Sequence, residues 1–355
     1  MLDKLMSYDT VGMSCYGSNI ETVKSVSSAL KAMKPAIKIV FGGPEVSAVY
    51  LESGKDDGVF KEYADFVVAG EGEIPLHEYL AGLSRGARFA AFSEIADPES
   101  LSAADYSDFD LSDYPVKNAV SLLTSRGCVR KCAFCSERLL FKGFRAYPVD
   151  TVIGEIRAHE KRGIKRFIFH DSLINGDIRS LEELTGAMAG TAGPVAWEAQ
   201  IAVRKDMPDR LFAKIKQSGC YHLFVGLESG CGRILRKMNK GFTPRDAADF
   251  FRKLCDHGLS FGISLIVGFP GETAREMEES LDFIIANRDV IPKIEQVNPF
   301  VYYRGTDLPR PADYRRNKGS LERAEFFIDR LKQAGFKYTK AFMFNLVEDG
   351  YKPWK

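Results

Sequence analysis

Ser125-Arg126-Gly127-Cys128-Val129-Arg130-Lys131-Cys132-Ala133-Phe134-Cys135 is the stretch on which the reading of this 355-residue chain turns. Its cysteines stand at the spacing Cys-x3-Cys-x2-Cys, directly after the strand-like run Ala119 to Thr124. The chain has seven cysteines, too few for a disulfide scaffold, and three of them crowd into this one loop, which points to a metal or redox centre. A structural zinc site is closed by four ligands, and no further Cys or His lies between His77 and His159 to supply the fourth. Three thiolates with one position left open suit a four-iron, four-sulfur cluster. The window Arg126 to Arg145 adds Arg126, Arg130, Lys131, Arg138, Lys142 and Arg145 against Glu137 alone, giving either positive surroundings for such a cluster, a solvated basic loop or a dock for an acidic electron donor.

Downstream of the cysteines, apolar runs recur at Arg166 to Phe169, Val195 to Val203, His222 to Leu227, Phe261 to Val267 and Ile294 to Tyr303, separated by amphipathic helical patterns. With the run at Ala119 they make six βα units. Right-handed crossovers curl such a series into a barrel or most of one, with ligand-binding loops at the strand C-terminal ends. Upstream, the runs Thr10 to Cys15, Ile37 to Phe41 and Phe66 to Ala69 alternate with two helix candidates. These are Ile20 to Met33, capped by Ser18 or Asn19, and Glu45 to Leu51, opened by Pro44 after Gly42-Gly43. The β-α-β-α-β order predicts a parallel open sheet.

From Ser84 to Pro115 periodicity fails in a stretch rich in Ala, Ser and Asp, which reads as a linker. Beyond Pro311 the pattern gives one helix, Leu321 to Ala334, and a strand-like run, Tyr338 to Leu346. The expected division is 1–84 for the open α/β sheet, 85–115 for the linker, 116–310 for the barrel and 311–355 for a C-terminal extension.

Composition agrees with real cores and excludes a disordered or collagen-like polymer: 45% of residues are hydrophobic, 27% charged and 12% aromatic. The net charge of +1 is unevenly spread, with 9 Lys/Arg against 19 Asp/Glu up to residue 115 and 40 against 29 beyond it, which suggests a domain boundary. The longest apolar runs, such as Ile263 to Phe269, fall far short of a bilayer span, and Met1 to Tyr8 shows no signal pattern. A soluble, cytoplasmic protein is expected.

With the cysteine triple and the strand ends in view, the chain resembles the radical SAM superfamily over about residues 117 to 310. The resemblance implies that Cys128, Cys132 and Cys135 hold a 4Fe-4S cluster whose open iron chelates S-adenosylmethionine (SAM), which one electron cleaves to a 5′-deoxyadenosyl radical. It implies that Phe134 packs beside the adenine. The family's Gly-Gly-Glu stretch is missing after the second barrel strand, and Asp171 is the candidate acceptor for the SAM amino group or else a helix cap. Glu198 and Gln200 share one face of the third strand, with Arg204 just beyond as a cofactor contact or a structural ion pair. The run Val225-Gly226-Leu227-Glu228-Ser229-Gly230 is similar to the family's strand-four motif. In it Glu228, followed by Ser229, meets the ribose, and Lys240 reaches the SAM carboxylate. Gly268, before Phe269-Pro270-Gly271, matches the adenine-binding bend.

Residues 9 to 80 resemble the later part of the cobalamin-binding domain that precedes this barrel in one large subgroup, through Ser14, Gly42-Gly43-Pro44 and Gly70-Glu71-Gly72-Glu73. Ser14, Gly42 and Gly43 are the candidate cobalamin contacts. The earlier strands of that domain are missing, as is the Asp-x-His-x-x-Gly context of an axial histidine, so the domain reads as truncated and its three strands leave an edge unprotected. The fold class expected is α/β: a partial (β/α)6 radical SAM barrel behind a truncated Rossmann-like (flavodoxin-like) parallel sheet.

The resemblance implies cobalamin-type methyl transfer or a related radical modification of a small molecule or peptide, with a flavodoxin or ferredoxin-type electron donor and no nucleic-acid partner. The alternatives are a tRNA methylthiotransferase-like enzyme and a truncated non-catalytic iron-sulfur protein. The former needs three further cysteines in the N-terminal part, where Cys15 stands alone.

Overall fold

Apolar runs flanked by glycine build the first sheet. In chain order its elements are α1 (Leu2–Leu5), β1 (Thr10–Ser14), α2 (Ile20–Met33), β2 (Lys38–Gly42), α3 (Pro44–Ser53), β3 (Phe66–Gly70), α4 (Glu73–Leu80) and β4 (Phe89–Ser93). The strands pair in parallel in the order β1-β2-β3-β4. The first four residues of β3 are all buried, as expected of a strand covered on both faces. Leu30 on α2 and Ile39 and Phe41 on β2 are fully buried in this layer's core. Burying a side chain such as Phe41 stabilises the layer by about 1.5–3 kcal/mol.

Two expectations are corrected here. Phe89–Ser93, placed in the linker, is a fourth strand, so the sheet has four strands among the described residues and not three. Phe89 stacks on Tyr50 of α3 with ring centroids 5.2 Å apart, a contact that local periodicity cannot show. Asn19 is the N-cap residue of α2, yet its side chain turns back to accept from Tyr16 N (2.8 Å) and to donate to Ser14 O (3.0 Å).

The second sheet begins at β5 (Ala119–Leu122), and a separate antiparallel pair of two-residue strands follows, β6 (Ser125–Arg126) and β7 (Arg145–Ala146), with α5 (Glu137–Leu140) between them in sequence. Then come α6 (Val149–Lys161), β8 (Arg166–Phe169), α7 (Ile178–Ala189), β9 (Ala196–Ile201), α8 (Asp209–Gln217), β10 (Cys220–Glu228), α9 (Gly232–Lys237) and α10 (Pro244–Asp256). The chain continues through β11 (Phe261–Val267), α11 (Ala274–Ala286), β12 (Ile294–Pro299) and α12 (Lys318–Gln333). Six parallel strands, in the order β12-β11-β10-β9-β8-β5, form the expected partial barrel. Trp197, Phe167, Phe212, Phe251 and Phe261 fill the layer between strands and helices. Thr243 and Thr273 open α10 and α11 with reciprocal capping boxes to Asp246 and Glu276.

This computed structural model describes residues 2–53, 60–83, 88–95, 97, 101, 103–113, 118–190, 195–309 and 318–336. The strand-like run at Tyr338 lies outside them. One compact unit comprises Met1–Asp97, Ala133–Phe144 and Tyr302–Pro311, and the other Pro98–Cys132, Arg145–Val301 and Ala312–Lys355. No described helix is long and apolar enough to cross a membrane.

Candidate active site

The cysteine loop is rooted by the β6/β7 pair, in which Ser125 faces Ala146 and Arg126 faces Arg145. Asp171 sits beneath that root. It is 1% exposed and accepts from Thr124 N (3.0 Å), Thr124 Oγ1 (2.7 Å) and Ser125 Oγ (2.5 Å). Burial pushes its carboxyl up, while the Ser125 and Thr124 bonds pull it down. Asp171 is therefore neither an open acceptor for an amino group nor a helix cap: its oxygens tie the loop root to the end of β8, and Asp177 caps the helix that follows.

Cys128, Cys132 and Cys135 are half-buried, as is Phe134. Arg130 N donates to Cys128 Sγ at 3.4 Å and Glu137 N to Cys135 Sγ at 3.5 Å. Cys128 and Cys132 belong to the barrel unit, whereas Phe134 and Cys135 fall in the segment Ala133–Phe144 of the other. Among the described residues no three Cys, His, Asp or Glu side chains are gathered at metal-binding distance. Three thiols on one short loop, two of them already accepting backbone N–H groups, are nevertheless a donor set that fits a thiolate-ligated cluster. Burial pushes the Cys132 thiol up, Lys240 and Arg130 pull it down, and Glu228 adds to the rise.

Glu228 ends β10 in the left-handed region, at φ 69°, where a residue other than glycine is strained by about 1–3 kcal/mol. Its carboxylate meets Lys240 Nζ at 3.2 Å and Ser264 Oγ at 3.3 Å, and both Glu228 and Lys240 are nearly buried. Gly226 makes this possible. A Cβ there would lie 2.6 Å from Glu228 Oε1.

Gln200 and Glu198 share the inner face of β9 and line a barrel cavity of about 800 Å³, together with His170, His222 and Glu295. Within it His222 Nε2 lies 2.8 Å from Glu295 Oε1. The rest of the expected SAM contacts are placed otherwise. Arg204 is a structural fork, with Nε and Nη2 on Asp206 and Nη1 on the carbonyls of Asn175 and Gly176, each at 2.8 Å. Ser229 is 2% exposed and bonds Ser280 Oγ of α11 at 2.8 Å, because β10 has already turned outward into α9. Gly268, at φ 79°, is approached by α12 and not by open space, since a Cβ there would lie 2.8 Å from Ser320 Oγ.

In the first sheet the Gly42-Gly43 turn follows β2, with Cys15 N donating to Gly42 O at 2.7 Å. A Cβ on Gly43 (φ 100°) would lie 2.8 Å from Ser14 Oγ, and Ser14 is exposed. A bare backbone turn beside an exposed hydroxyl fits the approach of a bulky ligand tail.

Residues 122–284 match the radical SAM superfamily, and residues 4–80 match the B12 binding domain. The chain carries a radical SAM domain behind a B12-binding domain. A cluster and SAM are the cofactors that the radical SAM domain implies. Over 296 residues the chain is 26% identical to an uncharacterized methyltransferase of Pyrococcus horikoshii, covering 78% of this chain and 63% of that protein. Over 303 residues it is 26% identical to bacteriochlorophyllide d C-12(1)-methyltransferase of Chlorobaculum tepidum, covering 82% and 64%. Methylthiotransferases also match. The radical SAM methyltransferase TsrM of Kitasatospora setae, solved with tryptophan substrate and a SAM analogue, superposes at a TM-score of 0.68 with 17% identity, covering 83% of this chain and 64% of that one. The chain thus spans under two-thirds of the length of these relatives.

The radical SAM domain also holds site residues that the sequence did not single out. Ser264 and Gly226 seat Glu228, and His222 with Glu295 lines the cavity. The alternation of β10 from His222 to Glu228 is the signal that could have found His222 and Gly226, whereas Ser264 and Glu295 come from the neighbouring strands β11 and β12.

Proposed function

We propose that this chain is a cobalamin-type radical SAM enzyme whose reaction is methyl transfer to, or a related radical modification of, an unactivated carbon in a small molecule or peptide. The observation that carries the reading is the buried Glu228–Lys240 pair, at a strained strand end of the same unit as Cys128 and Cys132. Buried charges are costly unless paired, and a pair kept at the C-terminal end of a barrel strand, where ligand-binding loops gather, is an arrangement for a polar ligand. In this reading Cys128, Cys132 and Cys135 hold the 4Fe-4S cluster, Glu228 accepts from the ribose hydroxyls of SAM, and Lys240 pairs with its carboxylate. Gln200 offers an amide to the bound cofactor from the cavity wall, and Phe134 packs beside the adenine. A cluster held there and reduced would supply the one electron for cleavage of SAM to methionine and a 5′-deoxyadenosyl radical.

Ser14, Gly42 and Gly43 would line the tail of cobalamin, the methyl carrier. The proposal keeps an open α/β sheet, now extended to Ser93, followed by the barrel and a C-terminal extension, with a flavodoxin or ferredoxin-type electron donor and a cytoplasmic setting. The test is anaerobic reconstitution followed by reduction with dithionite in the presence of SAM. Equal amounts of 5′-deoxyadenosine and methionine, with cobalamin retained through gel filtration, are expected. Reductant-independent background levels of 5′-deoxyadenosine would overturn the proposal.

A further inference from the structure

Arg130 stands between Cys128 and Cys132, in the basic window whose charge suits the surroundings of a cluster, a solvated loop or a dock for an acidic donor. It is half-buried, and its guanidinium is directed inward. Nη2 donates to Val203 O at 2.8 Å, just past β9, and Nη1 to Lys240 O at 3.1 Å. Its own N–H donates to Cys128 Sγ at 3.4 Å. The turn that receives it is shaped for it. Asn239 (φ 56°) and Gly241 (φ 72°) are both left-handed, and a Cβ on Gly241 would lie 2.6 Å from Arg130 Nη1. From the other side, Asn239 Nδ2 donates to Lys131 O at 2.7 Å. The 239–241 turn and the 130–131 segment therefore clamp one another, and Lys240, whose carbonyl is one of the two clamp points, sends its ammonium to Glu228 at 3.2 Å.

We infer that Arg130 is a positioning residue that fixes the cysteine loop against the Lys240 turn, so that cluster and SAM carboxylate meet in one geometry. This deepens the functional reading above and rests on it. The chemistry asks for arginine in particular. A planar fork can reach two carbonyls in different directions at once, whereas a lysine ammonium at the same place reaches one of them.

The test compares wild type, Arg130→Ala, Arg130→Lys and Asn239→Ala after anaerobic reconstitution. Iron and sulfide per chain, the thermal unfolding midpoint, and the dissociation constant of SAM are measured, the last from the shift of the reduced-cluster paramagnetic signal. Losing two hydrogen bonds from a charged donor should weaken SAM by about tenfold or more in Arg130→Ala. Arg130→Lys should fall between, and Asn239→Ala should weaken SAM with iron content kept. A SAM titration in Arg130→Ala equal to wild type, with equal iron and sulfide, would overturn the inference. If Arg130→Ala fails to fold, wild-type titrations in both other variants would overturn it. A wild-type chain with no cluster signal would instead sink the functional reading itself, before any variant is compared.

Discussion

Glu228 and Ser229 are neighbours with opposite fates, and substitution should separate them. Glu228→Gln keeps the shape that Gly226 makes room for and removes the charge facing Lys240. SAM affinity measured by equilibrium dialysis should fall about tenfold, in line with the loss of a charged hydrogen-bond partner. Ser229→Ala removes a hydroxyl that bonds Ser280 Oγ and accepts from Cys231 N, both on the outward side. Chemical denaturation should show a loss of about 1 kcal/mol, with SAM affinity unchanged. A SAM defect in Ser229→Ala would mean that the hydroxyl turns inward in the loaded enzyme. At this scale much was legible: a carboxylate after an apolar strand had to stand at a strand end. Arg130 was not legible in its contacts, because its acceptors are backbone carbonyls 73 and 110 residues away and any residue type supplies a carbonyl.

Among the elements, long periodic segments were readable and short ones were not. The helix Ile20–Met33 has the bounds its pattern predicts, and five barrel strands fall within about two residues of theirs. The pairs β6/β7, two residues each, carry no period at all, yet they close the root of the cysteine loop. Strand β4 is Phe-Ala-Ala-Phe-Ser, without a β-branched residue, and it exists through β3 and the Tyr50 ring.

Helices α7 and α8 are joined at the surface by Glu182 with Arg210 and Lys214, each contact 2.9 Å. Hydrogen bonds from Arg210 and then Lys214 lower the Glu182 carboxyl from 4.5 to about 2. A depressed carboxylate stabilises the fold above its unfolded value and loses that contribution as pH falls through its folded value. The advantage of wild type over Glu182→Gln in urea unfolding should thus be complete above about pH 4.5, shrink below it, and vanish near pH 2. High salt should shrink it at every pH, as for any exposed pair. An advantage that grows on acidification would contradict the assignment.

For the molecule as a whole, the two domains were readable because each has its own repeating unit and the charge changes sign between them, from −10 up to residue 115 to +11 beyond. Less readable was that Ala133–Phe144 and Tyr302–Pro311 count with the first unit, since compactness is a property of contacts and not of chain order. Within that unit Arg304 pairs with Glu45 and Glu52 of α3, and Asp307 N donates to Ala133 O at 3.2 Å. The cysteines test the chemistry at this scale. Cys132→Ala should lose the bound iron, whereas Cys255→Ala, whose thiol on α10 donates to Val290 O at 3.4 Å, should keep it. Equal iron loss in both would overturn the ligand assignment.

The most direct measurement is the electron paramagnetic resonance spectrum of the anaerobically reconstituted, reduced chain, recorded with and without SAM. A reduced four-iron cluster signal that shifts on adding SAM is the predicted result, because three cysteine ligands would leave one iron open. A chain that binds no cluster, or a cluster signal indifferent to SAM, would contradict the account.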